Sequence, residues 1–217
     1  MPISSYALTS LARQKEFMGI TSSDYDTILT SLINSTTDFI ERYCDRRFIS
    51  TVYTNEVYDG TGSSQLLLKQ FPVTTFTSLQ KRDTTKNESS WTTLESEDYF
   101  VKLTEGIIII SSNIYDGWTN TVYYTPNFSR YPQYYRATYT AGLAFDAVTG
   151  TYLEDVGAGD LEYAMWKLTT TAFNQRKGSD DVASERIGEY SVTYRKEVSM
   201  DTELQQILSF YRRPPSF

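Results

Sequence analysis

Histidine is absent from all 217 residues. That one absence excludes Ser-His-Asp triads, histidine-ligated metals and the usual general base of neutral pH. Cysteine occurs once, at Cys44, so neither an intrachain disulfide nor a cysteine-clustered zinc site is available. Long apolar runs are missing too. The longest purely aliphatic stretch is Ile107 to Ile110, far short of a membrane span. The opening "MPISSYALTS" has neither the basic nor the apolar region of a signal peptide. No membrane partner and no cofactor is expected. Positive charge is in deficit, with 20 Lys and Arg against 27 Asp and Glu, a formal charge of −7. A chain with a pI of about 4.7 does not grip nucleic-acid phosphates over a broad surface.

What is present is core-forming material: 40% hydrophobic residues, 15% aromatics and 18 Tyr, enough for one domain or two. From Asp24 to Cys44 the residues Tyr25, Ile28, Leu29, Leu32, Ile33, Phe39, Ile40 and Tyr43 recur at helical steps. Thr21, Ser22 and Ser23 offer N-caps for this helix, and Arg46 and Arg47 follow its negative pole. A shorter helix over about Thr9 to Met18 precedes it, with Gly19 as a left-handed stop and Ile20 folding back.

Between Ser50 and Gly142 the period falls to two. "FTSLQKR", "DYFVKL", "GIIIIS", "NTVYYT" and "YYRATYTAG" carry strand-forming residues, separated by turn-rich stretches. Helical spacing returns at Leu161, Ala164, Met165, Leu168 and Ala172, with Asp160 as cap, and again at Leu204, Ile207, Leu208 and Tyr211. Between these helices "GEYSVTYRK" reads as one isolated strand. The expected fold is α+β: a helical layer from residues 1–48 and 143–217, with residues 49–142 inserted as an antiparallel β-sandwich or small barrel.

The stretch "DGTGSS" at Asp59 to Ser64 invites comparison with a phosphate loop. A Walker-type loop needs a Lys after its last glycine and a helix behind it. Here "QLLLKQFPV" follows, which is strand composition ending at a proline, so the stretch reads as a hairpin turn. Glu95, Glu97 and Asp98, and the pair Asp180 and Asp181, read as solvated surface acids. Asp146, Glu154, Asp155 and Asp160 lack the EF-hand spacing for calcium. Trp91, Trp118, Tyr123, Tyr124, Tyr131, Tyr134 and Tyr135 read first as sheet core, with a stacking face for sugars or bases as the alternative. Cys44 reads as a small buried hydrophobe. No catalytic residue emerges.

The order of these elements, with "LTSLARQKEFMGIT", "DYDTILTSLINSTTDFIERYCDRRF", "YDGTGSSQLLLKQFPV", "RIGEYSVTYRK" and "YRRP", resembles the head–tail connector (adaptor or head-completion) proteins of tailed phages. The resemblance covers Leu8 to Gly106 and Ile187 to Pro214. It implies a non-enzymatic virion protein of the neck, assembled in the host cytoplasm. The implied state is a ring of twelve copies docked beneath the portal protein, offering a platform to a neck, stopper or tail-completion protein. Double-stranded DNA would pass through the ring without sequence-specific binding, which suits a net negative subunit. Two segments are candidate partner interfaces. Tyr190, Val192 and Tyr194 lie on the isolated strand, whose open edge suits pairing across a subunit boundary. Tyr211, Arg212, Arg213 and Phe217 lie on a Pro-containing tail with charge and an aromatic anchor. The competing reading is a glycan- or receptor-binding β module.

Overall fold

The computed structural model describes residues 2–82, 90–111, 127–176, 184–187, 190–193 and 200–213. The chain divides into two compact units, Met1–Asp45 with Phe145–Arg212, and Arg46–Ala144 with Arg213–Phe217. The architecture is α+β, with the helices drawn from both ends of the chain and antiparallel sheets from its middle.

In the helical unit, α1 spans Leu11–Met18 and is closed by local chemistry at both ends. Ser10 is extended, and its Oγ accepts the Arg13 N–H at 3.3 Å. Gly19 takes φ 66° and lets the Ile20 N–H reach back to the Lys15 carbonyl at 2.9 Å. Removing the cap hydroxyl, as in Ser10→Ala, is expected to cost about 1 kcal/mol in chemical denaturation.

The long helix α2 spans Asp26–Cys44 and buries Leu29, Ile33, Ile40 and Cys44 completely. Its expected serine and threonine caps are not used. Tyr25 holds the cap position without a side-chain bond, while the Ser22 hydroxyl turns to Asp24 and Asp26 pairs with Lys15 at 2.7 Å. Phe39 and Tyr43 lie about 100° round the helix from Ile40 and Cys44. They stack on each other at 6.4 Å, and Phe39 stays 41% exposed.

Helix α3, Gly159–Gln175, and helix α4, Thr202–Tyr211, complete the unit. Leu161, Ala164, Met165 and Phe173 of α3 are buried with Leu204 and Leu208 of α4. The Cys44 thiol points at the Leu208 carbonyl, 3.6 Å away, so the lone cysteine is core. Ala158, not Asp160, occupies the cap position of α3, and Asp160 sits in its first turn.

Among the described residues the β unit holds seven strands: β1 Thr51–Tyr58, β2 Gln65–Leu67, β3 Val73–Arg82, β4 Trp91–Thr93, β5 Tyr99–Lys102, β6 Ile107–Ile110 and β7 Tyr135–Ala141. They form two antiparallel sheets, ordered β1-β7-β3-β4 and β2-β6-β5. One apolar cluster, including Leu66, Leu79, Ile108, Phe128 and Tyr139, draws on both. Arg46 does not stay at the pole of α2. It is 6% exposed, with its guanidinium over the Phe71 ring at 3.8 Å and donating to the Phe71 carbonyl. A left-handed Asp45 (φ 52°) ends the helix and turns the chain there.

The strand expected to be isolated has a partner. Ser184–Ile187 (β8) pairs antiparallel with Tyr190–Thr193 (β9), register Ser184 to Thr193 and Ile187 to Tyr190. The polar composition of "SERI" hid the first arm of this hairpin. Tyr194, Phe217, Trp118, Tyr123, Tyr124, Asp180, Asp181 and the expected strand "NTVYYT" lie outside the described residues.

Candidate interaction surfaces

The glycine-rich corner is not a hairpin. β1 pairs with β7 and β2 with β6, so Asp59 to Ser64 carries the chain from one sheet to the other. Its backbone is tied to a returning segment: Gly60 N–H to the Tyr131 carbonyl at 2.9 Å, Gly62 N–H to Phe128 at 2.8 Å, and Phe128 N–H to Ser63 at 2.7 Å. A Cβ on Gly60 would lie 1.4 Å from the Ser129 carbonyl oxygen. The glycines serve a close backbone approach, and Gly60 and Gly62 donate to protein carbonyls rather than a phosphate. The corner borders a cleft of about 560 Å³, lined among others by Val57, Asp59, Gln65, Leu67, Lys69 and Arg213.

Behind this cleft lies a buried phenol–carboxylate cluster. Tyr139 donates to Glu56 Oε2 at 2.5 Å, the Tyr58 and Tyr139 hydroxyls meet at 2.9 Å, and Tyr58 also bonds Glu56. Burial, with the Glu56 carboxylate beside them, pushes both phenols well above the ordinary tyrosine range. They therefore remain protonated donors, a structural use of tyrosine rather than a nucleophile or base.

The helical unit contains a second cluster that sequence pattern did not reveal. The Glu162 side chain is fully buried, accepting from the Thr9 hydroxyl at 2.9 Å and facing Arg13 Nε at 3.0 Å. Arg13 also reaches Glu154 at 2.9 Å and lies over Tyr152 and Trp166. Trp166 Nε1 donates to the Thr9 hydroxyl at 2.8 Å. Desolvation raises the Glu162 carboxyl above the usual carboxylate range, with Thr9 and Arg13 opposing it. This network joins α1 to α3. Nothing in the sequence around Glu162 marks it for burial, and only the packing shows it buried.

The Asp146 and Asp155 carboxylates are occupied by protein donors. Asp146 accepts from the Thr149 hydroxyl at 2.8 Å and the Val148 N–H at 2.9 Å, which holds its carboxyl low. Asp155 accepts the Tyr152 N–H at 2.7 Å. Among the described residues, no cluster of metal-ligating side chains occurs. No described helix is long and apolar enough to cross a membrane. Glu95 and Glu97 are exposed, Asp98 is half-buried, and the Glu95 N–H approaches the Asp98 carboxylate at 3.3 Å. Of the described aromatics, Tyr135 is buried against Phe128, Tyr134 and Trp91 are half-buried, and Tyr131 is 59% exposed. Trp91 lies beneath the guanidinium of Arg136 at 4.6 Å. These rings serve the sheet more than an open stacking platform.

At the end of α4, Tyr211 is half-buried and its hydroxyl donates to Asp160, while Arg212 is exposed. Arg213 is half-buried and lines the β-unit cleft. Phe210, beside them and not anticipated as an interface residue, is 83% exposed. Tyr190 and Val192 fall on β9, described by its backbone.

The family model for head completion proteins matches residues 7–214. No curated protein matches the chain. Three solved structures share the fold over 100% of this chain. One is described as "Virion of native gene transfer agent (GTA) particle", at 14% identity, 95% coverage of that chain and TM-score 0.54. Another is "Neck of empty GTA particle computed with C6 symmetry", at 14% identity, 95% coverage and TM-score 0.51. The third is "Neck of native GTA particle computed with C12 symmetry", at 13% identity, 94% coverage and TM-score 0.50.

Proposed function

Because the chain belongs to the head completion protein family, we propose that it is a structural, non-catalytic connector of the head–tail junction of a virion. It docks as a ring beneath the portal, extends the DNA channel and offers its far side to a neck or tail protein. The observation that carries this reading is the family match over residues 7–214. The fold shared end to end with neck chains of a phage-like particle supports it. A ring of twelve accords with the twelvefold symmetry under which one of those necks was computed.

The chemistry of the chain suits the role. A subunit of charge −7 gives a strongly negative ring that repels a passing duplex instead of holding it. The partner-facing surface proposed here is the end of α4 and the tail beyond it. There Phe210 at 83% exposure supplies an apolar anchor and Arg212 a charge, with Tyr211 beside them. The β8–β9 hairpin, with Tyr190 and Val192, is the second proposed contact, since among the described residues its two strands leave outer edges to pair.

Negative-stain imaging of the protein mixed with its portal tests the reading. Rings capping the portal are the expected result, with retention falling at least tenfold on deletion of Arg212 to Phe217. Absence of any association with an intact portal would reject the connector role.

A further inference from the structure

We infer that two patches of the helical unit, an aromatic ridge on α2 and an apolar pocket on α1, join one copy of the chain head-to-tail to the next. This contact presupposes the ring reading above and supplies its subunit junction.

The ridge is formed by Phe39 and Tyr43, one helical turn apart, whose rings stack at 6.4 Å with Phe39 41% exposed. The other flank of α2 buries Leu29, Ile33 and Ile40 completely, so the ridge is apolar area that the unit's own core does not use. Arg42, exposed and three residues on from Phe39, lies beside it on the helix surface. Aromatic rings and arginine are the side chains that most often carry binding energy at a contact.

The pocket is open, about 540 Å³ in volume, and lined by Leu11, Ala12, Lys15, Glu16 and Ile20. Leu11, Ala12 and Ile20 give it apolar walls, and the single methyl of Ala12 leaves room for a ring. Lys15 is engaged by Asp26 at 2.7 Å, whereas Glu16 is exposed and has no ion pair among the described residues. Its charge is opposite to that of Arg42.

The two patches face different ways on one unit. Lys15 ties the pocket to Asp26 in the first turn of α2. Phe39 lies about 20 Å further along that helix and about 140° round it. A two-fold dimer needs one self-complementary patch, and neither a convex ridge nor a concave pocket is that. A knob and a hole on separate flanks make a head-to-tail contact, which closes into a ring when the rotation permits. The occupant is therefore a second copy, with Phe39 entering over Ala12 and Arg42 meeting Glu16.

Cross-linking at introduced cysteines tests the contact, because Cys44 is fully buried. The chain carrying both Ala12→Cys and Asp38→Cys, two exposed positions, is treated with a short bis-maleimide, on its portal and alone at high concentration. A ladder of covalent multimers is expected, and neither single variant should give one. Adding Phe39→Ser should lower the multimer yield about tenfold or more, and so should adding Arg42→Glu, which sets like charges face to face. Glu16→Arg should then restore the yield lost to Arg42→Glu, a rescue that damage to the fold would not produce. No ladder under either condition overturns the inference. So does equal linking by a single variant, which marks a two-fold contact. The connector role fails separately, by lack of portal association whether or not a ladder forms.

Discussion

Arg13→Met is expected to cost the helical unit about 3–5 kcal/mol near neutral pH, the range for removing one partner of a buried ion pair. The side chain keeps its length, so much of the packing over Tyr152 and Trp166 survives, while the charge facing Glu162 is lost. Glu162 is then a fully buried carboxylate that keeps the Thr9 hydroxyl but has lost the cation facing it. The loss should depend on pH in a definite sense. The folded-state pKa of Glu162 is already raised, so the stability it contributes is present below the unfolded value and lost as pH rises through the folded value. Removing Arg13 raises the folded value further, because an opposing positive charge has gone. The deficit of Arg13→Met should therefore shrink on acidification through that range, as a protonated Glu162 needs no counter-ion. Urea denaturation of both chains from neutral pH down to the ordinary carboxylate range measures this. A deficit independent of pH would assign the loss to packing. The double variant Arg13→Met, Glu162→Leu should recover much of the stability, since an apolar replacement of both partners removes the desolvation cost.

Gly60→Ala is expected to destabilise the β unit by at least about 3 kcal/mol, in the upper range for single substitutions. The added methyl carbon would fall 1.4 Å from the Ser129 carbonyl oxygen, inside any contact distance. What must move is backbone. The same displacement strains the Gly60-to-Tyr131 and Gly62-to-Phe128 hydrogen bonds that fasten the corner. Two other glycines calibrate the effect. At Gly62 the methyl group meets the Arg130 side chain, which can swing away, leaving mainly the cost of φ 72°. At Gly19 nothing lies within 4 Å, so Gly19→Ala isolates the strain of φ 66°, about 1 kcal/mol. Thermal melts of the three variants should order Gly60 far above Gly62 and Gly19. An effect at Gly60 no larger than at Gly19 would mean the corner accommodates side chains.

Helix periodicity, the Gly19 stop, the strand-rich middle and the burial of Cys44, Leu204 and Leu208 are all legible in the residues. Each is set by interactions within a few positions along the chain, or by a stripe that must be buried somewhere. The α+β class follows from the order of those elements, and the motifs within them resemble the family to which the chain belongs. The pairing of strands is another matter. Periodicity of two shows that "VYTNEVYDG" and "SSQLLLK" are strands, yet not that they belong to different sheets, because β1 meets β7 about eighty residues away. The glycine corner, read locally, is a hairpin. Only the close approach of Ser129 makes it a crossover. The "SERI" arm of the last hairpin has too little apolar character to declare itself. Charge burial is the least legible of all. Glu162 and Arg46 are written with the same letters as solvated surface residues, and nothing adjacent marks them as different. Their burial is decided by partners far along the chain, Thr9 and Arg13 for one and Phe71 for the other. A desolvation cost depends on what surrounds a group in space, and sequence neighbours fix only a small part of those surroundings.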